Sequence, residues 1–302
     1  WHMDYPEVGP GIYPQYWVCR LAREHVKVIL GGQGGDEVFF GYPFILQLAL
    51  EEDLMRPGSF GLGYMIKLYH YLKLTRREKD VIFSLRRLAR MILKERDVEP
   101  GMRLYRRVLF HSPEFLRKLL VGELRELAFE YSPEPDFIRI FAAPSSNSFL
   151  DRAQYLYVKA YLHALLHVED RTSMAVSLES RVPLCCDHRL LELVASIPER
   201  VKIDGFEPKH LLRKAVNGSA PGKILQRKDK KGFPTPIGIW LRRQAKEVEA
   251  ILLSEKATSR GIFDMSCVKR LLSEHASGKC NHETTLFMLL NLEFWFRRFI
   301  DT

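Results

Sequence analysis

The sequence has no long apolar run and no cysteine pattern typical of a metal or disulfide scaffold. No apolar stretch approaches the roughly 18 consecutive residues of a membrane helix, and the amino terminus has neither the basic region nor the apolar core of a signal peptide. The five cysteines, at positions 19, 185, 186, 267 and 280, form no C-x-x-C pair. They therefore indicate neither a zinc ribbon nor a disulfide framework. We expect a soluble, cytoplasmic globular protein without a membrane partner.

Acidic residues are fewer than basic ones, which gives the 302-residue chain a formal net charge of +9. Such a charge suits nucleic acid, a membrane surface or phosphorylated small molecules. Much of the excess lies between Arg76 and Arg107, where basic and apolar residues alternate at the spacing of solvated helix faces. Because no recognised nucleic-acid motif accompanies the charge, nucleic acid is not an expected partner.

A short β-branched run followed by glycines and acids is the strongest local pattern. Val26–Leu30 predicts a strand buried on both faces, as in a parallel sheet. The residues that follow form a loop whose backbone N–H groups can approach an anion: Gly31, Gly32, Gln33, Gly34 and Gly35. Asp36 then stands at the carboxyl end of the strand, where a hard acid beside a phosphate indicates Mg²⁺. The alternative is a glycine-rich turn followed by solvated acids.

The rest of the chain predicts a mostly α protein with one clear parallel-type strand and many helices. The expected helices include Tyr64–Leu74, Arg77–Glu95, Gly101–Phe110, Pro113–Phe129, Ser146–Val168, His188–Ile197 and Thr284–Ile300. A single strand cannot form a sheet, so its neighbours must come from elsewhere or its edges stay exposed. His163 and His167 are spaced i, i+4, which allows a metal site but is also common for ordinary polar or packing residues.

Three segments in a fixed order carry a family resemblance. The first is Leu30-Gly-Gly-Gln-Gly-Gly-Asp-Glu-Val-Phe-Phe-Gly-Tyr42, the second runs from Asp170-Arg-Thr-Ser-Met to Glu179-Ser-Arg-Val-Pro183, and the third is Lys230-Lys-Gly-Phe233. They resemble the S-G-(E/D/Q)-G-(G/S)-D-E, D-R-x-S-M-A-x-S-x-E-x-R-V-P-F-L-D and K-K-G-F motifs of the asparagine synthetase family. The chain is therefore identified as a member of that family.

The resemblance implies a fold and a division of the chain. The fold would be the C-terminal part of an α/β adenine-nucleotide-hydrolase-like (ATP pyrophosphatase) synthetase domain. Residues 1–50 would be the remnant of the nucleotide-binding α/β domain with its glycine loop. Residues 51–145 would be a helical insertion, and residues 146–302 the helical C-terminal part of the synthetase domain.

The resemblance also implies an activity: ATP would activate a carboxylate such as aspartate as an acyl-adenylate, and ammonia or an amine would then displace AMP. Mg²⁺ would bind Asp36, while the loop from Gly31 to Gly35 would hold phosphate. Lys230 would contact the adenylating phosphate, with Lys231 as the alternative. Arg181 and Glu179 would shape the acyl-substrate pocket.

The sequence departs from the family pattern in several places. Gln33 replaces a glutamate of several members, which argues against one proton-transfer role but not against adenylation. Val182-Pro-Leu-Cys-Cys-Asp187 has one residue more than V-P-F-L-D. The ATP loop S-G-G-x-D-S and a glutaminase segment do not occur in these residues.

These departures leave two interpretations of the chain open. The first is a fragment or truncated product of a ligase, which would be inactive alone and prone to form a homo-oligomer. The second is a non-catalytic relative that binds an anionic ligand or a partner subunit.

Overall fold

The computed structural model describes residues 1–7, 9–55, 62–75, 81–227 and 232–301. The first helices are α1 Ile12–Arg23, α2 Gly35–Val38, α3 Pro43–Met55, α4 Leu62–Thr75, α5 Val81–Lys94, α6 Pro100–Val108, α7 Pro113–Leu119, α8 Gly122–Glu130, α9 Glu134–Ala142, α10 Phe149–Leu156 and α11 Leu162–Met174. They are followed by α12 Pro183–Cys186, α13 His188–Ser196, α14 Glu199–Lys202, α15 His210–Ala215, α16 Gly222–Leu225, α17 Ile237–Arg243, α18 Ala245–Leu252, α19 Glu255–Ser259, α20 Met265–Ala276 and α21 Glu283–Phe299. The prediction of a mostly helical chain is confirmed.

Two strands form a parallel pair, β1 Val28–Leu30 and β2 Glu179–Arg181. The strand predicted before the glycine loop is therefore present, whereas its partner β2 was not foreseen. The prediction that the first strand is buried on both faces is wrong for this chain, because Val28 is 48% and Leu30 78% exposed. Only β2 lies beside β1 in the described sheet, so its other edge is left uncovered.

The helix predicted over residues 146–168 is interrupted. It begins after Ser148, whose hydroxyl accepts a hydrogen bond from the N–H of Asp151. A π-helical turn, Tyr157–Tyr161, then separates α10 from α11. Such a turn shifts the backbone hydrogen-bond pattern by one residue between α10 and α11.

Two clusters of buried residues form most of the core. The first is built around α3, whose Leu46 and Leu48 pack with side chains of α6, α9 and α10. The second lies in the C-terminal part, where Leu271 of α20 and Leu286 of α21 pack with residues of α17 and α18. The division of the chain at residues 50 and 145 stays a prediction.

None of the described helices combines the length and the apolar character needed to cross a membrane.

Candidate phosphate-binding site

The glycine loop begins at the end of β1 and is fastened to β2 by its backbone. The N–H of Gly31 donates to the carbonyl of Arg181 at 2.7 Å. Gly34 has a φ of +86°, which favours glycine, and a Cβ there would lie 2.5 Å from the Cβ of Cys185 in α12. The loop therefore passes too close to α12 for any larger residue at this position.

The buried carboxylate of Glu169 in α11 supports the glycine loop. It accepts hydrogen bonds from Gln15 at 2.8 Å, from Ser180 at 2.6 Å and from Gln33 at 3.5 Å. These contacts connect α1, β2 and the glycine loop to one side chain. Sequence analysis did not select Glu169 and missed this supporting role.

Asp36, the predicted metal ligand, lies beside a cation that the sequence analysis did not select. Its Oδ1 is 3.0 Å from the Nζ of Lys209. Lys209 has a φ of +58°, and its N–H donates to the carbonyl of Phe39 at 3.1 Å. This left-handed conformation immediately before α15 is held by the tertiary contact, and no sequence signal indicates it.

Next to Asp36, the carboxylate of Glu37 is buried and accepts a hydrogen bond from the hydroxyl of Tyr42. The rings of Tyr157 and Tyr161, from the π-helical turn, lie 5.3 and 6.0 Å from the ring of Tyr42. Burial raises the pKa of all three tyrosines, and the bond to Glu37 raises that of Tyr42 further. The phenols therefore remain protonated and close one wall of the site.

Arg181 and Glu179, the predicted acyl-pocket residues, lie on β2 with Arg181 opposite Leu30. Their side chains form an ion pair with each other and are 67% and 49% exposed. The structure thus brings β2 against the start of the glycine loop. Lys230 and Lys231 lie outside the described residues. The roles assigned to all of these residues stay predictions.

The paired histidines His163 and His167 both lie on α11. His167 stacks on Tyr5 with ring centroids 4.4 Å apart, and its Nε2 lies 3.1 Å from the carbonyl of Met3. For His167 this is the packing role that the sequence left open. A cluster with the spacing of metal ligands occurs elsewhere, at Glu274, Cys280 and His282.

Comparison with known proteins agrees with the motifs. The family model described as asparagine synthase matches residues 1–297. A protein of Bacillus subtilis named asparagine synthetase [glutamine-hydrolyzing] 1 is 28% identical over 300 residues, which cover 98% of this chain and 44% of that protein. A putative asparagine synthetase [glutamine-hydrolyzing] of Mycobacterium bovis is 29% identical over 305 residues, with 100% and 44% coverage.

A more distant similarity extends to a protein with another name. The amidase chyE of Penicillium rubens is 26% identical over 273 residues, which cover 82% of this chain and 38% of the fungal protein. In each of these comparisons the chain spans less than half the length of the curated relative that it matches.

Proposed function

The chain belongs to the asparagine synthase family, and from this premise we propose that it forms the C-terminal part of an ATP-dependent ligase that makes an amide. In this proposal ATP activates a small carboxylate such as aspartate as its acyl-adenylate, and ammonia or an amine displaces AMP. The ion pair of Asp36 and Lys209 at the carboxyl end of β1 is the observation that carries the proposal, because it offers both charges that a magnesium phosphate requires.

The glycine loop adds neutral donors to this pair. In the part of the chain that the structure describes, the backbone N–H groups of Gly32 and Gln33 donate no hydrogen bond. Gln33 is half-buried, so its N–H needs a partner, whereas Gly32 is exposed and its N–H is accessible from solvent; phosphate oxygens are suitable acceptors for both. Together with the ammonium of Lys209, these groups would hold the negative charge that builds on the departing pyrophosphate.

The residues fit Mg²⁺ when it arrives with a phosphate. The carboxylate of Asp36 is a hard oxygen ligand, whereas the ammonium of Lys209 at 3.0 Å would repel a bare cation from the same oxygen. A phosphate removes this conflict, since Lys209 can turn to the phosphate while Asp36 binds the metal. When bound, Mg²⁺ would neutralise charge on the phosphate oxygens.

The remaining predicted roles belong to the same proposal. Arg181 and Glu179, exposed beside the glycine loop, would shape the pocket of the carboxylate substrate, and Lys230 or Lys231 would contact the adenylating phosphate. An ATP loop of the form S-G-G-x-D-S does not occur in the sequence. We therefore propose that adenylate formation needs segments beyond these residues, and that this chain alone catalyses no ATP–pyrophosphate exchange.

Calorimetric titration of the chain with magnesium pyrophosphate tests the site. The Lys209→Met variant should bind about tenfold more weakly than wild type, since it loses one charge-assisted hydrogen bond. Lys214→Met is the matched control, because Lys214 is an exposed lysine of α15, the helix that begins directly after Lys209. Absence of binding by the wild-type chain, or equal affinities of the two variants, would remove the support for this site.

A further inference from the structure

A second concentration of cationic side chains lies away from the glycine loop, in a cleft between α5 and α6 above α3. The cleft has a volume of about 520 Å³. Its lining includes six arginines: Arg86, Arg87, Arg90, Arg103, Arg106 and Arg107. The sequence analysis attributed this charge to solvated helix faces. A solvated face would leave the arginines spread over a convex surface, whereas here they converge on one concave site.

Buried carboxylates behind the lining of the cleft hold three of the arginines. Glu51 is fully buried, and its two oxygens lie 3.1 Å from Arg87 and 3.5 Å from Arg107. Arg103 pairs with Glu52, which is also buried. These pairs fix the guanidinium groups before any ligand arrives, which lowers the entropy lost on binding.

The other three arginines lie at the mouth. Arg86, Arg90 and Arg106 are exposed, and within the described ranges none of them forms an ion pair. Arg86 and Arg90 are spaced i, i+4 on α5 and so project from the same side of that helix. With Glu95, the six arginines are accompanied by three carboxylates, which leaves an excess of three positive charges at the cleft.

We propose that this cleft binds a small anion carrying two or more phosphate groups. Arginine is suited to this chemistry because its planar guanidinium donates two parallel hydrogen bonds to a phosphate. The volume falls in the range of about 300–1,000 Å³ that is usual for small-ligand sites. Two kinds of ligand supply this charge: free inorganic pyrophosphate and the polyphosphate of a nucleotide.

The wall of the cleft distinguishes these two sources. Phe83 and Met91 line it together with the arginines, and Phe83 is 43% exposed. An aromatic ring at this position can stack on a nucleobase, which pyrophosphate lacks. The cleft shares no residue with the glycine loop or with the pair of Asp36 and Lys209, so this inference does not depend on the proposed ligase function.

The experiment titrates the chain with pyrophosphate and with ATP in the presence of EDTA, so that no magnesium complex forms. The variant Arg90→Gln/Arg106→Gln removes two exposed charges from the mouth. Its control is Arg242→Gln/Arg243→Gln, which removes two exposed charges from α17. We expect the first variant to lose about tenfold or more in affinity for both ligands and the control to lose less than about twofold.

Further arms separate the alternatives. Tighter binding of ATP than of pyrophosphate, reduced to the pyrophosphate level by Phe83→Ala, identifies a nucleotide, whereas equal affinities identify the phosphates alone. The loss of affinity caused by Arg90→Gln/Arg106→Gln in EDTA should be the same in a Lys209→Met background, which separates this cleft from the glycine loop. Equal losses in the two double variants would show a general charge effect and overturn the proposal. So would a single-stranded oligonucleotide that binds more tightly than either small ligand, or wild-type chain that binds neither.

Discussion

The Oδ1 of Asp36 lies 3.0 Å from the Nζ of Lys209, although most of the helical chain separates the two residues in sequence. The backbone of Gly41 lies directly beside this ion pair. A Cβ at Gly41 would lie 1.8 Å from the Oδ1 of Asp36 and 2.6 Å from the Cε of Lys209. The space that the ion pair occupies therefore exists only because residue 41 has no side chain.

This geometry predicts that Gly41→Ala weakens magnesium pyrophosphate binding more than it weakens the fold. The atoms that would be displaced are the ends of two side chains, so we expect a stability loss of about 1 kcal/mol, at the low end for overpacking. Affinity should fall about tenfold as the ion pair is pushed apart. Calorimetry and urea unfolding measure the two effects.

Gly32→Ala is the stability control for this experiment, because a Cβ at Gly32 meets nothing within 4 Å. A Gly41→Ala variant that unfolds at the same urea concentration as wild type and binds the ligand equally well would contradict the assigned contact.

Gly34→Ala, in contrast to Gly41→Ala, should lower the stability of the fold strongly. The left-handed φ of Gly34 costs an alanine about 1–2 kcal/mol, and the contact with Cys185 adds an overpacking cost of about 1–3 kcal/mol. Gly218→Ala separates these contributions, because Gly218 has a φ of +88° but open space around it. Urea unfolding of the two variants should show a greater loss for Gly34→Ala, and equal losses would exclude the steric contact.

The elements that sequence reasoning located carry their signals within a short stretch. The β-branched run before Gly31 is one example, because it acts on near neighbours. Asp187 acts locally in the same way, since its side chain caps α13 by accepting a hydrogen bond from the N–H of Arg189. Such local preferences are visible in one sequence without knowledge of the tertiary fold.

The features that were missed depend on distant contacts. β2 consists of Glu179-Ser-Arg181, a polar triplet without strand propensity, and it is extended because it pairs with β1. The left-handed backbone of Lys209 places its side chain beside Asp36, and a hydrogen bond to the carbonyl of Phe39 stabilises this conformation. Neither β2 nor the conformation of Lys209 has a local sequence signal. The tertiary structure was therefore needed to identify Lys209 as the partner of Asp36.

A buried histidine outside the site predicts part of the pH dependence of stability. His275 is 1% exposed; its Nε2 lies 3.0 Å from the carbonyl of Gly238, and its Nδ1 accepts the N–H of His282 at 3.1 Å. Burial lowers the pKa of His275 below its ordinary value. The folded state therefore favours the neutral ring, and the stability that this ring contributes is present above the unfolded pKa of about 6.5.

That stability is lost as the pH falls from about 6.5 towards the lower pKa of the folded state. His275→Gln can still donate to Gly238 but does not titrate, so its stability should fall less between pH 7.5 and pH 5.5. Urea unfolding at these two pH values measures the difference. His111, whose pKa burial also lowers, remains in both proteins and contributes the same slope to each. Parallel pH profiles of wild type and variant would contradict the assignment.

The uncovered edge of β1 predicts that the purified chain self-associates. Leu30 is 78% exposed, and in the described part of the sheet β1 has a neighbour on only one side. A strand edge with unpaired backbone groups and apolar side chains is a template for another chain. Leu30→Glu should reduce the association, because a charge at the edge disfavours pairing with another chain. The new carboxylate would lie opposite Arg181 and should therefore leave the pair of β1 and β2 intact.

Sedimentation velocity over a micromolar concentration series measures the association. Leu93→Glu, which changes a leucine of α5 that is 83% exposed, is the control and should associate like wild type. A wild-type chain that stays monomeric throughout the series would show that an exposed β1 edge is not sufficient to bring two chains together.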